Sequence, residues 1–282
     1  MITKYYPTQL ETFRQCPLKY KYGKDPEIRD KYRQPTPQLY VGTCVHDALE
    51  VFFDVTRTPM AERTEAKLDH LLRRAWAGVD LWTKRKQQRL LEREKVFGED
   101  KEMEAGWGKH ALNMLHRYFL VTDLTAVPFT AEQFHEAKLK SGIIVAGKID
   151  RIDRLPDGSM KIMDYKTGKP PFKKDDASVA EEDLQLSTYA IVVRKKYRAP
   201  INRCTLIYVA HDEEVGFEPT DALLAEKAKL IEETVRAIEA EEEWAPKQNH
   251  FCPWCEYRAI CEIGKTIEAA DSKLDEELDV PF

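Results

Sequence analysis

The sequence predicts an α/β fold on three observations. Between Glu136 and Lys169 apolar and charged residues alternate, as in successive half-buried antiparallel strands. From about Thr58 to Leu120, and again from Thr220 to Glu243, the pattern is helical. A further strand, NRCTLIYVAH at residues 202–211, follows a helical stretch that opens at Asp183. The chain has 282 residues, 43% hydrophobic and 33% charged, enough for one large domain or two small ones with a sizeable core. No apolar run approaches the roughly 18 residues of a membrane span, and MITKYYPTQLETF has no apolar signal region. A cytoplasmic location is expected. The net charge of −5 is a whole-chain sum and argues only weakly against a nucleic-acid partner, since local basic stretches count for more.

TQLETFRQCPLKYKYG reads as a short helix with Thr8 as N-cap and Glu11 completing a capping box. Cys16, taken alone, reads as a small buried hydrophobe. PTPQLYVGTCVHDALEVFFDV reads as a loop feeding a helix with the apolar stripe Val45, Leu49 and Phe52–Phe53, and His46 near its beginning. Cys44 and Cys204 lack partners at ligand spacing and read as core residues. Residues 58–130 read as a helical subdomain in which Trp76, Trp82 and Trp107 read as packing residues, any exposed one being able to stack on a base. There Lys84, Arg85, Lys86, Arg89, Arg93 and Lys95 outnumber two glutamates, as on a solvated face or a helix that contacts phosphates.

The strands carry the chemistry. IIVAGKIDRIDRL is followed by the turn residues Leu155-Pro156-Asp157-Gly158-Ser159 and then MKIMDYKTG. A hairpin centred on Asp157 makes Asp150 and Asp164 cross-strand partners on one face, with Cβ atoms roughly 4.5–5.5 Å apart. Lys166, two residues on, shares that face. Two carboxylates so close repel unless a cation lies between them, and hard divalent ions take such oxygen ligands. Asp-x13-Asp-x-Lys on a hairpin therefore reads as a metal-dependent hydrolase site; the bland reading is a hairpin whose charges face water. The loop GKPPFKKDDASVAEED follows, then DLQLSTYAIVVRKKY as an amphipathic helix with Gln185 and Tyr189 on one face.

Near the C-terminus, NHFCPWCEYRAIC places Cys252, Cys255 and Cys261 in one short aromatic segment. Three thiolates so close call for a metal, with Cys16 the one other cysteine in a comparable setting and His250 adjacent, so spacing alone also allows a Cys3His zinc site.

GKIDRID, DG and MDYKTGK together resemble motifs II and III of the PD-(D/E)XK nucleases, in the RecB-like branch that includes the CRISPR-associated RecB-like exonucleases. Ile149 stands where the usual proline would precede the first acid. GTCVHDALE resembles the segment around that branch's motif I histidine, and QLSTYA its additional motif IV. The resemblance implies a restriction-endonuclease-like core, a mixed sheet flanked by helices, with a helical insertion. It implies Mg²⁺ or Mn²⁺ held by His46, Asp150, Asp164 and the backbone carbonyl of Tyr165, with Lys166 catalytic and Gln185 and Tyr189 near the scissile phosphate. It further implies a [4Fe–4S] cluster on Cys16, Cys252, Cys255 and Cys261, stapling the N- and C-terminal parts. The domains expected are then residues 1–57 with the first cysteine and His46, 58–130 helical, 131–245 nuclease core, 246–265 cluster segment and 266–282 acidic tail.

The expected activity is a metal-dependent DNA exonuclease preferring single strands or frayed ends, with Lys84, Arg85, Lys86 and Arg89 as DNA contacts. No GxxxxGK[ST] run is present, so unwinding through that motif is not expected. The alternatives are a DNA-end-binding or adaptation-complex module in which cleavage is secondary, and a zinc-stapled structural protein. The terminal DSKLDEELDVPF resembles the acidic tails of bacterial single-stranded-DNA-binding proteins, which implies that Pro281-Phe282 recruits a replication or repair partner.

Overall fold

A computed structural model describes residues 3–79, 83–168, 183–211 and 213–267, with the side chains of 83–86 also outside the description. Trp82, the lysine-containing loop after Gly168 and the acidic tail with Pro281 and Phe282 lie outside the described residues. In chain order the elements are β1 (Lys4–Tyr5), α1 (Pro7–Gln15), α2 (Pro17–Lys24), α3 (Pro26–Tyr32), α4 (Pro37–Phe53), α5 (Glu65–Trp76), α6 (Thr83–Phe97) and α7 (Lys101–Val121). Then follow β2 (Thr130–Lys138), β3 (Ile144–Arg154), β4 (Met160–Lys166), α8 (Leu184–Tyr197), β5 (Ile201–Tyr208), β6 (Glu213–Phe217), α9 (Asp221–Ala240) and α10 (Glu262–Thr266). The strands form a mixed sheet in the order β1-β3-β4-β5-β6, with β2 also paired to β3. No described helix is long and apolar enough to cross a membrane.

The described residues fall into two compact units. The first takes in the described residues of Met1–Gln34, Lys138–Val145 and Ala225–Phe282; the second takes in those of Pro35–Ala137 and Ala146–Leu224.

In the second unit the β3–β4 hairpin pairs Arg151 with Met163, Ile152 with Ile162 and Asp153 with Lys161. This is the register centred on Asp157. The turn fixes it locally: Gly158 takes a left-handed φ of 84°, and Asp157 Oδ1 accepts bonds from Ser159 N (2.9 Å) and Oγ (2.6 Å). β4 then pairs in parallel with β5, Asp164 opposite Leu206 and Lys166 opposite Tyr208. A parallel neighbour requires a crossover, and α8 belongs to it. The sequence pattern suggested an amphipathic α8, but Leu184 and every residue from Leu186 to Val193 are buried, with only Gln185 among them partly open. A helix packed on all sides loses the polar stripe that marks a surface helix.

The odd-numbered face of β4 and β5, with Met163, Tyr165, Ile207 and Val209, shares one core with α4, α5 and α7. Phe52, Phe53, Leu68, Leu72 and Leu115 are almost fully enclosed there, each stabilising the fold by roughly 1.5–3 kcal/mol. Residues 65–121 therefore build the same core as the strands. Trp76 and Trp107 pack within or against it, and Cys44 and Cys204 are both buried.

Three sequence expectations change. Pro7 opens α1 with Tyr6 as N-cap and no side-chain capping bond, so Thr8 lies inside the helix; proline's fixed φ sets the first turn instead. Pro37 likewise opens α4, capped by Thr36, which accepts from Leu39 N. That early start leaves His46 in the middle of the helix rather than near its beginning. Arg89, expected to contact DNA, is only 5% exposed, its Nη2 2.7 Å from Asp47 Oδ2 on α4. Its charge is turned inward to a buried carboxylate. Lys84, Arg85 and Lys86 lie on α6, their side chains outside the described residues.

In the first unit β1 runs parallel to the start of β3, Lys4 beside Ile144 and Tyr5 beside Val145. The chain's early and late segments meet here. Tyr20 stacks on Trp244 at 5.9 Å, Phe13 sits edge-on to both rings, and Tyr5 Oη donates to Glu239 at 2.9 Å. Lys19 pairs with Glu256 at 3.1 Å, and Lys247 Nζ and Asn249 Nδ2 donate to the carbonyls of Arg14 and Gln15.

Candidate active site

Asp150 on β3 and Asp164 on β4 are 8% and 2% exposed, side by side as the hairpin register requires. Tyr165 N donates to Asp150 Oδ2 at 2.8 Å, which locks that carboxylate. His46 reaches the same place from α4. Its Nδ1 lies 3.1 Å from Glu132 Oε1 and 3.5 Å from Asp150 Oδ1, and its Nε2 3.1 Å from the Tyr165 carbonyl. His46, Glu132 and Asp150 each offer a ligand atom within 4.8 Å of the others, the one such group of His, Cys, Asp or Glu among the described residues.

Glu132 was not anticipated from the sequence. It lies in TAEQFHEAK on β2, at a φ of +52° that a residue with a side chain rarely adopts. Such a conformation costs on the order of 1–3 kcal/mol and persists where its surroundings enforce it. Here the carboxylate, 4% exposed, is held by His46 and by Lys148 Nζ. No spacing in the sequence links Glu132 to a histidine on another element.

Lys166 pairs with Asp164 Oδ2 at 2.6 Å and donates to Gln185 Oε1 at 3.3 Å. Gln185 Nε2 donates to Asp164 Oδ1 at 3.0 Å and to Tyr189 Oη at 2.7 Å. Tyr189 Oη in turn donates to the Lys148 carbonyl at 2.8 Å. The structure thus brings Asp150, Asp164, Lys166, Gln185, Tyr189, His46 and the Tyr165 carbonyl together. One placement differs from expectation. Asp164 is not one of the three groups at ligand spacing; its carboxylate is engaged by Lys166 and Gln185. Tyr189 is 4% exposed, with its hydroxyl accepting from Gln185 and donating to the Lys148 carbonyl.

Gly147 is what lets Tyr189 sit there. A Cβ on Gly147 would fall well inside contact distance of the Tyr189 ring. Gly147→Ala is expected to lose about 1–3 kcal/mol of stability, the usual cost of overpacking a full site. Chemical denaturation compared with the wild type checks this, and an unchanged midpoint would refute the packing account.

The electrostatics are those of a site built around positive charge. Burial and the adjacent Asp150 push Asp164 up to about 7, Lys166 opposing. Burial alone would pull His46 down, but Asp150 and Glu132 outweigh it and hold the ring well above its ordinary value. As an imidazolium, His46 donates from both nitrogens, to Glu132 and to the Tyr165 carbonyl. Lys166, disfavoured by burial, is kept charged by Asp164. In the unfolded chain the aspartate and histidine titrate near 3.9 and 6.5. Both folded values are raised, so both contribute stability that is full below the unfolded pKa and lost as pH rises through the folded pKa. A cation at the site replaces those protons. The rise in melting temperature on adding Mn²⁺ is therefore expected to grow from pH 5 to pH 8, with affinity strengthening about tenfold per pH unit for each proton displaced. His135, pulled down to about 4 by burial and Lys196, changes stability equally with and without the metal and drops out of that difference. A metal-induced shift that is flat or shrinking with pH would contradict this picture.

In the first unit Cys16, Cys252, Cys255 and Cys261 line one small cavity. Backbone N–H groups of Lys19 and Lys247 both point at Cys16 Sγ at 3.5 Å, and Asn249 N at Cys252 Sγ at 3.3 Å. Burial raises the Cys255 thiol. No three of these sulfurs lie at the mutual spacing found for His46, Glu132 and Asp150.

The family model of the PD-(D/E)XK nuclease superfamily matches residues 7–262. No curated protein matches the chain. Among solved structures, the protein SSO0001 is 16% identical over 91% of this chain and 95% of its own, with a TM-score of 0.35. A Eubacterium rectale protein provisionally described as an exonuclease is 14% identical over 92% of this chain and 97% of its own, with a TM-score of 0.40.

Proposed function

Since this chain belongs to the PD-(D/E)XK nuclease superfamily, we propose that it is a divalent-metal-dependent deoxyribonuclease whose reaction centre lies on the β3–β4 hairpin. One observation carries the reading: a histidine and two carboxylates converge at ligand spacing beside a buried Asp–Lys pair. The donor set, oxygens and one imidazole with excess negative charge, fits Mg²⁺ or Mn²⁺. His46, Glu132 and Asp150 would hold the ion, with Asp164 and the Tyr165 carbonyl adjoining them. When bound, the ion supplies the charge that polarises a phosphate and makes water a stronger acid.

The chain's own groups do the rest. Lys166 keeps its proton and presents a fixed positive charge where negative charge grows on the phosphoryl oxygens. Asp164 steadies that ammonium and, when ionised, accepts a proton or a hydrogen bond from the attacking water. Gln185 braces the Lys166–Asp164 pair by bonding to both, and Tyr189 holds Gln185 through a hydroxyl anchored on the Lys148 carbonyl.

His46, Glu132 and Asp150 also line a cleft of about 490 Å³ walled by Gln38 and Thr43 of α4 and Gln88 of α6. A space of that size takes a drug-sized ligand, one or two nucleotides rather than a duplex. The proposal is accordingly for a strand that is single or frayed at its end, cut exonucleolytically. The test is end-labelled linear and circular single strands and blunt duplex, with Mg²⁺ or Mn²⁺ or with chelator. Cation-dependent loss of linear single strands, with circles and duplex spared, is expected; no cleavage of any substrate would overturn the reading. A binding or adaptation module would retain DNA-end binding with negligible turnover.

The four cysteines are proposed to hold a [4Fe–4S] cluster. Two ligands of a single zinc, each about 2.3 Å from it, lie at most ~4.6 Å apart. No three of the thiols lie within 4.8 Å of one another, and Cys16 and Cys252 receive backbone N–H groups, as sulfurs of a larger cluster do. Its role would be structural, joining the early and late segments of the first unit.

A further inference from the structure

A second cavity, of about 370 Å³, lies in the second unit between α5, α6 and α7 and shares no lining residue with the cleft. Its walls are apolar: Leu72 and Trp76 from α5, Ala105 and Leu112 from α7. The charged groups around it are unequal. Glu104 is fully engaged, Oε1 accepting from Trp76 Nε1 at 2.9 Å and Arg93 Nε at 2.5 Å, and Oε2 from Lys101 Nζ at 3.5 Å. Arg73 adds a third cation, its side chain 71% exposed and loosely paired with Asp69 at 3.9 Å. Among the lining residues three cations stand against one satisfied carboxylate, which favours an anion, and an apolar wall with an indole favours a flat ring.

Gly108 supplies an independent observation. It lies inside the 21-residue α7 and lines this cavity, and a Cβ there would meet nothing within 4 Å. Glycine inside a helix costs roughly 0.5–1 kcal/mol relative to alanine. No neighbour demands the glycine for space. A larger side chain at this position would enter space that no neighbour occupies.

We propose that this cavity binds a nucleoside monophosphate, the base against Trp76 and the apolar wall and the phosphate on Arg73 and Lys101. The volume falls within the 300–1,000 Å³ range of small-ligand sites, which are mostly apolar with a few placed polar groups. The choice of a nucleotide among aromatic anions rests on the nuclease reading, because strand cleavage releases such molecules.

The test is calorimetric titration of the full chain with dAMP, without added divalent cation, against deoxyadenosine and inorganic phosphate. Saturable one-to-one binding of dAMP is expected, at least tenfold tighter than either fragment. Gly108→Leu, which fills the cavity, and Arg73→Glu, which reverses charge at its exposed rim, should each weaken it at least tenfold. Should Gly108→Leu fail to fold, Arg73→Glu decides. Absence of dAMP binding to the wild type at millimolar concentration, or equal binding by a folded variant, overturns the proposal. Cleavage is measured in parallel. Both variants should cut DNA at the wild-type rate; wild type that cuts but does not bind dAMP defeats only this inference, and wild type that binds but does not cut defeats only the nuclease reading.

Discussion

Lys166→Ala and Asp164→Ala are each expected to lower the rate of DNA cleavage by about 10²–10³-fold or more while leaving DNA binding largely intact. A charge aimed at the developing anion acts in the transition state, and losing one such contact typically costs that much in rate. The structure adds a distinction between the two. Removing Lys166 leaves Asp164, 2% exposed and already pushed up to about 7, beside Asp150 without its ammonium partner. Lys166→Ala should therefore push Asp164 further toward the protonated form and shift the pH profile of any residual activity to higher pH, which Asp164→Ala cannot do. Single-turnover rates from pH 6 to 9 and a binding isotherm on the same labelled strand measure both effects. Wild-type rates in both variants would remove the hairpin from the mechanism. Glu132→Gln should weaken Mn²⁺ binding with little loss of DNA binding, because it withdraws charge from the group at ligand spacing.

The second large effect is expected at Cys16. Anaerobically purified protein should be brown, with broad visible absorbance and about four irons per chain. Cys16→Ser should bleach it and lower the melting temperature. Without the cluster, the first unit's early and late segments are left with the Tyr20–Trp244 stack, the Lys19–Glu256 pair and a few hydrogen bonds. Exposed ion pairs contribute at most about 1 kcal/mol each, so these contacts are a weak substitute for covalent ligation. Stoichiometric zinc without iron in such a preparation would sink the cluster assignment. Retained colour in Cys16→Ser would show that Cys16 is not a ligand.

The hairpin was legible in the sequence for a local reason. Asp157 and Gly158 set the turn through bonds that span two residues, and the turn sets the register, so Asp150 faces Asp164 whatever the rest of the chain does. Gln185 and Tyr189 one helical turn apart, and Lys166 two residues past Asp164, follow from the same short-range periodicities. Three things could be settled only by tertiary structure. Glu132 joins His46 across 86 positions, Arg89 turns inward to Asp47 across 42, and Tyr189 on α8 is covered because Gly147, on β3, leaves room for its ring. Spacing along a chain reports which face a residue occupies, but not what lies opposite that face. The partner is chosen by packing, which buries a charge where another can neutralise it. That is why a basic helix and a glutamate with no motif around it took their roles only once the chain was folded.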